Sequence, residues 1–381
     1  MKRSTERILT THTGSLPRPD DLTAMLHARE RREPVDEAAF ERRVQEAVAE
    51  VVRKQVEAGV DVINDGEMGK ISYATYVKER LTGFEGEGRL AASPTDLLEF
   101  PEYLQRLFSD PTIATMRTPA CTGPIRYRGQ REVQQDIARL RAAVDGVQAT
   151  EVFMTAASPG VISLFLPNQY YPSHEAYLFA LAEAMKEEYD AIHQAGFLLQ
   201  VDCPDLAMGR HIQFGQASLE AFRKNAELHV EALNAALADV PSDAVRMHLC
   251  WGNYEGPHHH DVPLRDILDV VFKARPAGIS FEASNPRHEH EWRVFETVRL
   301  PEGKVLIPGV LDSTTNFIEH PELVAERIVR LARLVGRERV VAGTDCGFAT
   351  FAGFHTVDPK IAWAKLQAMA EGARLASQQL W

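Results

Sequence analysis

The 381-residue sequence predicts an α/β protein built as one (β/α)8 TIM barrel, and three observations support this interpretation. Short runs rich in β-branched residues alternate with longer amphipathic stretches, the order expected of a parallel sheet covered by helices. The alternation continues through the chain without a Gly/Ser-rich linker or a change in composition. Polar residues follow many of the runs, and the carboxyl ends of barrel strands carry the active site. We therefore expect one domain, residues 1–381.

Nine segments are candidate strands, one more than a barrel of eight strands can use. In chain order they are residues 8–12, 60–64, 120–126, 152–156, 197–201, 245–250, 278–282, 304–308 and 339–342. Residues 120–126 are the expected exception, because they follow the least regular part of the chain. That part, residues 83–118, is interpreted as an insertion into the barrel.

Helices are predicted where apolar residues recur with a period of about 3.6 residues. The clearest are residues 37–57, 175–195, 219–238, 264–274 and 322–335. Gly59, Gly196 and Gly336 follow three of these segments closely, and a glycine at this position caps the carboxyl end of a helix. The spacing therefore supports strands and helices in alternation.

Composition and charge exclude several classes of protein. The chain is 45% hydrophobic and 25% charged, which is typical of a globular protein with a sizeable core and excludes disorder and coiled coil. Its 42 basic and 54 acidic residues give a net charge of −12, which disfavours nucleic acid and anionic membranes as partners. No apolar run has the length of a signal sequence or a membrane span, so a cytoplasmic location is expected.

The four cysteines, Cys121, Cys203, Cys250 and Cys346, are too sparse for a disulfide scaffold and include no Cys-x-x-Cys pair. Reduced thiols fit a cytoplasmic protein. Such thiols are either small buried hydrophobic groups or metal ligands.

A metal site is predicted from residues at the strand ends. His248 and Cys250 are two positions apart on a candidate strand, so their side chains point to the same face. Glu282 ends the next strand and Cys346 follows the last one, so all four could meet at the barrel mouth. Imidazole and thiolate ligands in a set of four favour zinc over magnesium or calcium.

Six sequence segments resemble those of a known family. MHLCWGN, ISFEAS and GTDCGF resemble the zinc-binding segments in the C-terminal catalytic barrel of cobalamin-independent (vitamin-B12 independent) methionine synthase. THTGSLPRP resembles the family's Gly-Ser turn, NDGEMGK its Gly-Glu element and LQVDCPDL its Asp-Glu-Pro element. The resemblance spans roughly residues 8–360, and the chain is identified as a single-barrel, core-type member without the second, N-terminal barrel.

The resemblance implies both a reaction and roles for individual residues. The implied function is zinc-dependent methyl transfer to the thiol of homocysteine, giving methionine, with a methylated folate or another methyl carrier as donor. Ser15 would contact the homocysteine carboxylate, and Glu67 with Asp202 would bind its ammonium group. The implied ligands of Zn²⁺ are His248, Cys250, Glu282 and Cys346. Glu282 is expected to yield its place to the substrate sulfur, because oxygen is a poorer partner than sulfur beside two thiolates.

Two departures from the family pattern lie on the side of the methyl donor. The family has a histidine shortly after the position of Asp312, and here none occurs before His320. The acid expected near Met208 to hold the pterin of a folate is also missing. The general acid is therefore unassigned. Asp312 and His258 are its candidates, although the His258-His259-His260 tract also suits a solvated loop.

Two other functions stay open at this point, and so does oligomerisation. One is zinc-dependent alkylation of another thiol, such as coenzyme M by an epoxide. Its sulfonate would require cations, which Arg18, Lys70 or Arg210 could provide, rather than the acids Glu67 and Asp202. The other is a zinc-binding or thiol-binding protein without turnover, which a closed site of four ligands would indicate.

Overall fold

Seven parallel strands form one curved sheet, in the order in which they occur along the chain. The structure is a computed structural model that describes residues 1–86, 88, 94–109 and 117–381. The strands are β1 (Val62–Ile63), β2 (Glu151–Ala157), β3 (Leu198–Asp202), β4 (Val245–Leu249), β5 (Gly278–Phe281), β6 (Val305–Leu311) and β7 (Gly343–Thr344). Each strand pairs in parallel with the next one.

The N-terminal segment closes this sheet into a barrel. Thr11 forms a parallel bridge with Val62 of β1, and Thr10 forms another with Ala342, just before β7. The amide of Val62 donates a 3.0 Å hydrogen bond to the carbonyl of Thr10, and the amide of Thr11 donates one of 2.8 Å to the carbonyl of Ala342. Residues 10–11 thus occupy the eighth position, which confirms the predicted TIM-barrel fold.

Helices separate the strands. They are α1 (Asp20–Glu30), α2 (Glu37–Glu57), α3 (Pro101–Phe108), α4 (Gln130–Val144), α5 (Pro159–Phe165), α6 (His174–Gln194), α7 (Leu219–Ala236), α8 (Leu268–Val271), α9 (Pro321–Val335) and α10 (Pro359–Leu380). Segments of 3-10 helix are Thr75–Glu79, Leu97–Glu99, Pro204–Leu206, Met208–Arg210, Ser242–Ala244, Leu264–Asp266, Glu289–Glu296 and Arg337–Arg339. Asp36, Ser173 and Ser218 begin α2, α6 and α7 with side-chain caps on backbone amides. Among the described residues, no helix is both long and apolar enough to cross a membrane.

The structure confirms one of these expectations and corrects two of the predicted elements. Residues 120–126 lie outside the barrel sheet, as expected, where Ala120 and Cys121 form isolated bridges. Residues 264–274 form a 3-10 turn followed by the short helix α8, not one helix, because the backbone of Ile267 departs from helical geometry and separates the two. The last strand lies at Gly343–Thr344, just beyond the predicted range. The expected insertion, residues 83–118, falls partly outside the described residues; its described part includes α3.

A buried ionic cluster attaches the loop after β1 to two outer helices. Glu188 of α6 accepts hydrogen bonds from the hydroxyls of Tyr76 (2.5 Å) and Tyr127 (2.7 Å) and from the guanidinium of Arg80 (3.1 Å). Arg80 also pairs with Asp136 of α4. Because Tyr73 on the same loop lines the cavity described below, this cluster fixes one wall of that cavity.

We expect Arg80→Met to lower the free energy of unfolding by about 3–5 kcal/mol, because it leaves the buried carboxylate of Glu188 without its cation and leaves Asp136 with Arg139 alone. Urea unfolding followed by circular dichroism measures this change. Arg374→Met, which removes an exposed ion pair with Glu371, should leave the unfolding midpoint unchanged. Equal effects of the two substitutions would contradict the structural role of Arg80.

Candidate metal and substrate site

Three of the predicted metal ligands lie together at the carboxyl end of the barrel. His248 is in β4, Cys250 directly follows that strand, and Cys346 follows β7. Their ligand atoms all lie within 4.8 Å of one another, and the two Sγ atoms are 3.7 Å apart. All three side chains are buried. The strand ends therefore converge as the spacing predicted.

The geometry of this cluster fits a tetrahedral soft metal. Two sulfurs that are each about 2.3 Å from a tetrahedral zinc ion lie about 3.8 Å apart, close to the 3.7 Å between the Sγ atoms of Cys250 and Cys346. Nε2 of His248 is buried and has no hydrogen-bond partner. Burial lowers the pKa of His248 to about 3, so its imidazole stays neutral, as a metal ligand must be.

The thiols also favour a bound dication. The neighbouring Cys346 thiol, together with burial, raises the pKa of Cys250 well above its usual value. A divalent cation between the two sulfurs would offset this cost, because it stabilises the thiolate form. Sulfur and nitrogen ligands select zinc over magnesium or calcium, so the residues present fit the implied metal.

Glu282, the fourth predicted ligand, lies beside the cluster rather than within it. Its Oε1 accepts a 2.7 Å hydrogen bond from the amide of Trp251, and its Oε2 accepts one of 2.7 Å from Nδ2 of Asn285. Burial and the nearby Cys250 raise the pKa of Glu282 well above its usual value. The structure thus brings three predicted ligands together and places the fourth, the carboxylate of Glu282, next to them.

Two further residues hold the ligands in place, and the sequence interpretation gave neither a role. The hydroxyl of Ser280, which pairs with His248 between β4 and β5, lies 3.1 Å from Nδ1 of that histidine. Asp345 accepts hydrogen bonds of 2.8–2.9 Å from the amides of Ala283, Ser284 and Asn285. Asp345 therefore ties the segment of Cys346 to the loop that follows Glu282. Ser280 lies two residues before Glu282 on a candidate strand, and this spacing could have indicated it.

Glu67 and Asp202 line the same cavity as the cluster. Oε1 of Glu67 accepts a 2.9 Å hydrogen bond from Thr155, whereas its Oε2 is buried without a partner. Asp202 ends β3 and accepts a 2.8 Å hydrogen bond from Nε2 of Gln200. Burial raises the pKa of both carboxyls, and the proximity of Glu67 adds to the shift of Asp202. Such a pair has unused capacity to accept hydrogen bonds from a cation.

The turn that presents Glu67 is held by a buried arginine. Glu67 has a φ of 58°, which is uncommon for a residue with a side chain. Arg18 donates to the carbonyl of Glu67 from Nε (3.2 Å) and Nη2 (2.9 Å), and to the carbonyl of Ala349 from Nη1 (2.7 Å). These bonds fix the turn after β1 against the segment after β7.

Ser15, the third predicted substrate residue, also lines the cavity. It lies against the backbone of Gly347, where a Cβ atom would come 2.0 Å from Oγ of Ser15. The amide of Phe348 donates a 2.9 Å hydrogen bond to the carbonyl of Ser15. A side chain at position 347 would force the hydroxyl of Ser15 to move, so the glycine after Cys346 lets Ser15 lie close to this segment.

The rest of the cavity wall is mainly apolar. The rings of Tyr73, Phe165 and Phe351 pack edge to face, with centroids between 5.8 and 6.2 Å apart. Other apolar lining residues are Pro94, Leu97, Leu107, Leu164, Pro204, Met208, Ile212 and Phe354. The polar groups of the site are thus enclosed by side chains that exclude water.

The structure does not bring the candidate general acids into this cavity. Oδ1 of Asp312 accepts hydrogen bonds of 2.8 Å from the amide and the hydroxyl of Thr314. Nδ1 of His258 lies 2.9 Å from the carboxylate of Asp261, and its Nε2 lies 3.0 Å from the carbonyl of Tyr254. Local loop contacts therefore occupy both groups, and neither is among the described residues that line the cavity.

Comparisons with known proteins identify relatives along most of the chain. The family described as "Cobalamin-independent synthase, Catalytic domain" matches residues 8–91 and 162–374. The methionine synthase of Sulfolobus acidocaldarius is 26% identical over 375 residues, which cover 97% of this chain and 93% of that protein. The methionine synthase of Thermococcus kodakarensis is 24% identical over 372 residues, which cover 97% of this chain and 94% of that protein.

A solved structure has the same fold. The B12-independent methionine synthase from Shewanella sp. W3-18-1, in complex with selenomethionine, superposes with a TM-score of 0.72 at 20% sequence identity. The superposition covers 98% of this chain and 99% of that chain. Because the family model matches well over half of the sequence, the chain belongs to the cobalamin-independent synthase catalytic-domain family, and it is an enzyme of the methyltransferase class, as its motifs predicted.

Proposed function

We propose that the protein transfers a methyl group to the thiol of homocysteine, giving methionine, at a zinc ion held by His248, Cys250 and Cys346. One observation carries the proposal: a soft-metal donor set and a buried pair of carboxylates line the same cavity. A thiol and an ammonium group on one small molecule would suit these two parts. The methionine synthases among its relatives support this assignment.

Each predicted site residue has a task in this proposal. Glu67 and Asp202 bind the substrate ammonium, and the unpartnered Oε2 of Glu67 supplies an acceptor for it. Ser15 donates a hydrogen bond to the substrate carboxylate. Zinc held by His248, Cys250 and Cys346 would supply a cation that stabilises a substrate thiolate at neutral pH. Glu282, beside the cluster, would be the fourth protein ligand and the one that a substrate sulfur would replace.

The proposed transfer is a direct displacement. A bond forms between the ionised substrate sulfur and the methyl carbon while the bond from that carbon to the donor breaks. The electron pair of the broken bond stays with the leaving atom of the donor, which then takes a proton. The residues contribute by fixing the distance and direction of attack, and the apolar wall contributes by excluding water, which would compete for the methyl group.

The donor side of the cavity is the part that departs from the family pattern. Met208, near which the family pattern predicts an acid for a pterin, lines it together with Ile212. Among the described lining residues, Glu67 and Asp202 are the carboxylates, and both belong to the amino-acid side. This wall favours a methyl carrier that presents an apolar face over one that depends on a carboxylate partner.

The alternatives fit the cavity less well. The acids Glu67 and Asp202 would repel the sulfonate of coenzyme M, and Arg18 is occupied by backbone carbonyls. A non-catalytic metal protein would not need an open cavity beside its ligands. We also place the reaction in the cytoplasm, where the four free cysteines would stay reduced.

The protein should contain about one zinc ion per chain, and Cys250→Ala or Cys346→Ser should abolish its retention, since each removes a thiolate of the cluster. Elemental analysis by mass spectrometry of gel-filtered protein measures the content. Cys203→Ser is the matched control, because Cys203 is a buried thiol outside the cluster. A wild-type protein that retains no zinc would overturn the proposal.

Homocysteine should bind in a zinc-dependent manner, and Glu67→Gln or Asp202→Asn should weaken its affinity about 10- to 100-fold, because each removes a charged acceptor of the ammonium group. Isothermal titration calorimetry measures both. Asp312→Asn, a change at a buried carboxylate outside the cavity, should leave binding unchanged. Binding of coenzyme M in place of homocysteine would favour the alternative function.

Ser280→Ala should weaken zinc retention about 10- to 100-fold, because outer partners of ligating histidines orient the imidazole. Competition with a chromophoric chelator measures the affinity. Ser284→Ala is the control, since the Ser284 hydroxyl is buried without a partner. If both variants release zinc alike, Ser280 does not position His248.

A further inference from the structure

A second group of metal-ligating side chains lies on the surface, outside the cavity. It consists of Glu99, in the turn Leu97–Glu99, and of His259 and His260, in the loop after β4. One ligand atom from each residue lies within 4.8 Å of the others, and all three residues are exposed. We propose that this group, called here the surface cluster, is a binding site for a divalent transition-metal ion such as Zn²⁺ or Ni²⁺.

The side chains of the surface cluster are already oriented toward a common point. Nε2 of His259 lies 3.1 Å from Oε2 of Glu99, and Nε2 of His260 lies 2.5 Å from Oε1. The two imidazole rings are 4.2 Å apart between centroids. The three ligand atoms lie within 4.8 Å of one another, so small rotations of these exposed side chains would place both nitrogens and one oxygen around an ion.

The chemistry of the surface cluster selects the class of metal. Two imidazoles with one carboxylate suit Zn²⁺, Ni²⁺ or Cu²⁺, whereas Mg²⁺ and Ca²⁺ prefer oxygen ligands. The side chains of His259, His260 and Glu99 are 36%, 42% and 54% exposed, so an ion can enter from solvent and keep water at its other positions. His260 and then His259 lower the pKa of Glu99, which keeps this carboxylate ionised and able to bind.

A buried contact holds the turn that carries Glu99 against the loop that carries His259 and His260. The carboxylate of Asp96 accepts hydrogen bonds of 2.7 Å from the hydroxyl of Tyr254 and 2.9 Å from the amide of His258. Asp96 is itself fully buried. The turn with Glu99 is therefore held against the histidine loop although they are about 160 residues apart in the chain.

The position of the surface cluster gives the ion a structural consequence. Leu97 precedes Glu99 by two residues and Tyr254 precedes His259 by five, and both Leu97 and Tyr254 line the cavity. An ion bound to the surface cluster would cross-link these two segments at their outer side. It would therefore hold this part of the cavity wall closed. This inference does not depend on the reaction proposed for the cavity.

Titration of the untagged full-length protein with Ni²⁺ by calorimetry tests the site. The wild-type protein should bind about one Ni²⁺ at the surface cluster, and His259→Ala/His260→Ala or Glu99→Gln should lose or strongly weaken this binding. The matched control is His290→Ala/His320→Asn, which also removes two exposed imidazoles while keeping a helix cap at position 320. Equal loss in the control, or no binding by the wild type, would overturn the proposal.

A second measurement separates the surface cluster from the cavity. Cys250→Ala/Cys346→Ser should still bind Ni²⁺ at the surface, so failure of the cavity site to hold zinc leaves this result intact. Hydrogen exchange of the amides in residues 95–100 and 258–261 should slow when Ni²⁺ is added to the wild-type protein. The same addition to the Glu99→Gln variant should leave the exchange rates unchanged. Exchange that slows equally in Glu99→Gln would contradict the proposed cross-link.

Discussion

Parallel pairing around a closed barrel is the constraint on which the site depends. Residues 10–11 pair with β1 on one side and with the segment before β7 on the other, so all strands end at the same rim. The polar groups of the cavity come from several loops and strand ends at this rim, and no single segment could supply them all. They are Ser15, Glu67, Asp202, His248, Cys250 and Cys346. Without closure by residues 10–11, Ser15 would be separated from Gly347, against which it packs.

The cavity brings together the buried acids Glu67 and Asp202 and the thiol of Cys250, whose pKa values are all raised, and the nearby cations do not pair with the acids directly. Lys70 donates to the carbonyl (2.6 Å) and hydroxyl (3.2 Å) of Thr155, and Arg18 donates to backbone carbonyls. Their charges oppose the rise in the pKa of Glu67, yet they leave its Oε2 without a hydrogen bond. Lys70 and Arg18 therefore partly offset the negative charge of Glu67, while its Oε2 stays available to accept a hydrogen bond from a ligand.

The sequence predicted those parts of the site that follow from local spacing. His248 and Cys250 lie on one face of a strand, and Cys346 follows the last strand, so a barrel necessarily brings them to one rim. Asp345 could not be assigned in this way, because its role depends on three amides of another loop. The surface cluster could not be predicted for the same reason, because Glu99 lies in an irregular segment about 160 residues away from His259 and His260 in the sequence. Periodicity also failed at residues 264–274, where local backbone geometry overrides the apolar pattern.

The loop after β4 links the two clusters. It begins with Cys250, continues through Trp251 and Tyr254, and reaches the surface at His259 and His260. The amide of Trp251 donates to Glu282, and its indole donates a 2.7 Å hydrogen bond to the carbonyl of Val262 beyond the histidines. The buried residue Trp251 thus contacts Glu282 near the start of the loop and Val262 near its end. A contact that fixes the outer half of the loop, such as an ion on the surface cluster, would therefore also limit the movement of the inner half, where Cys250 and the cavity wall lie.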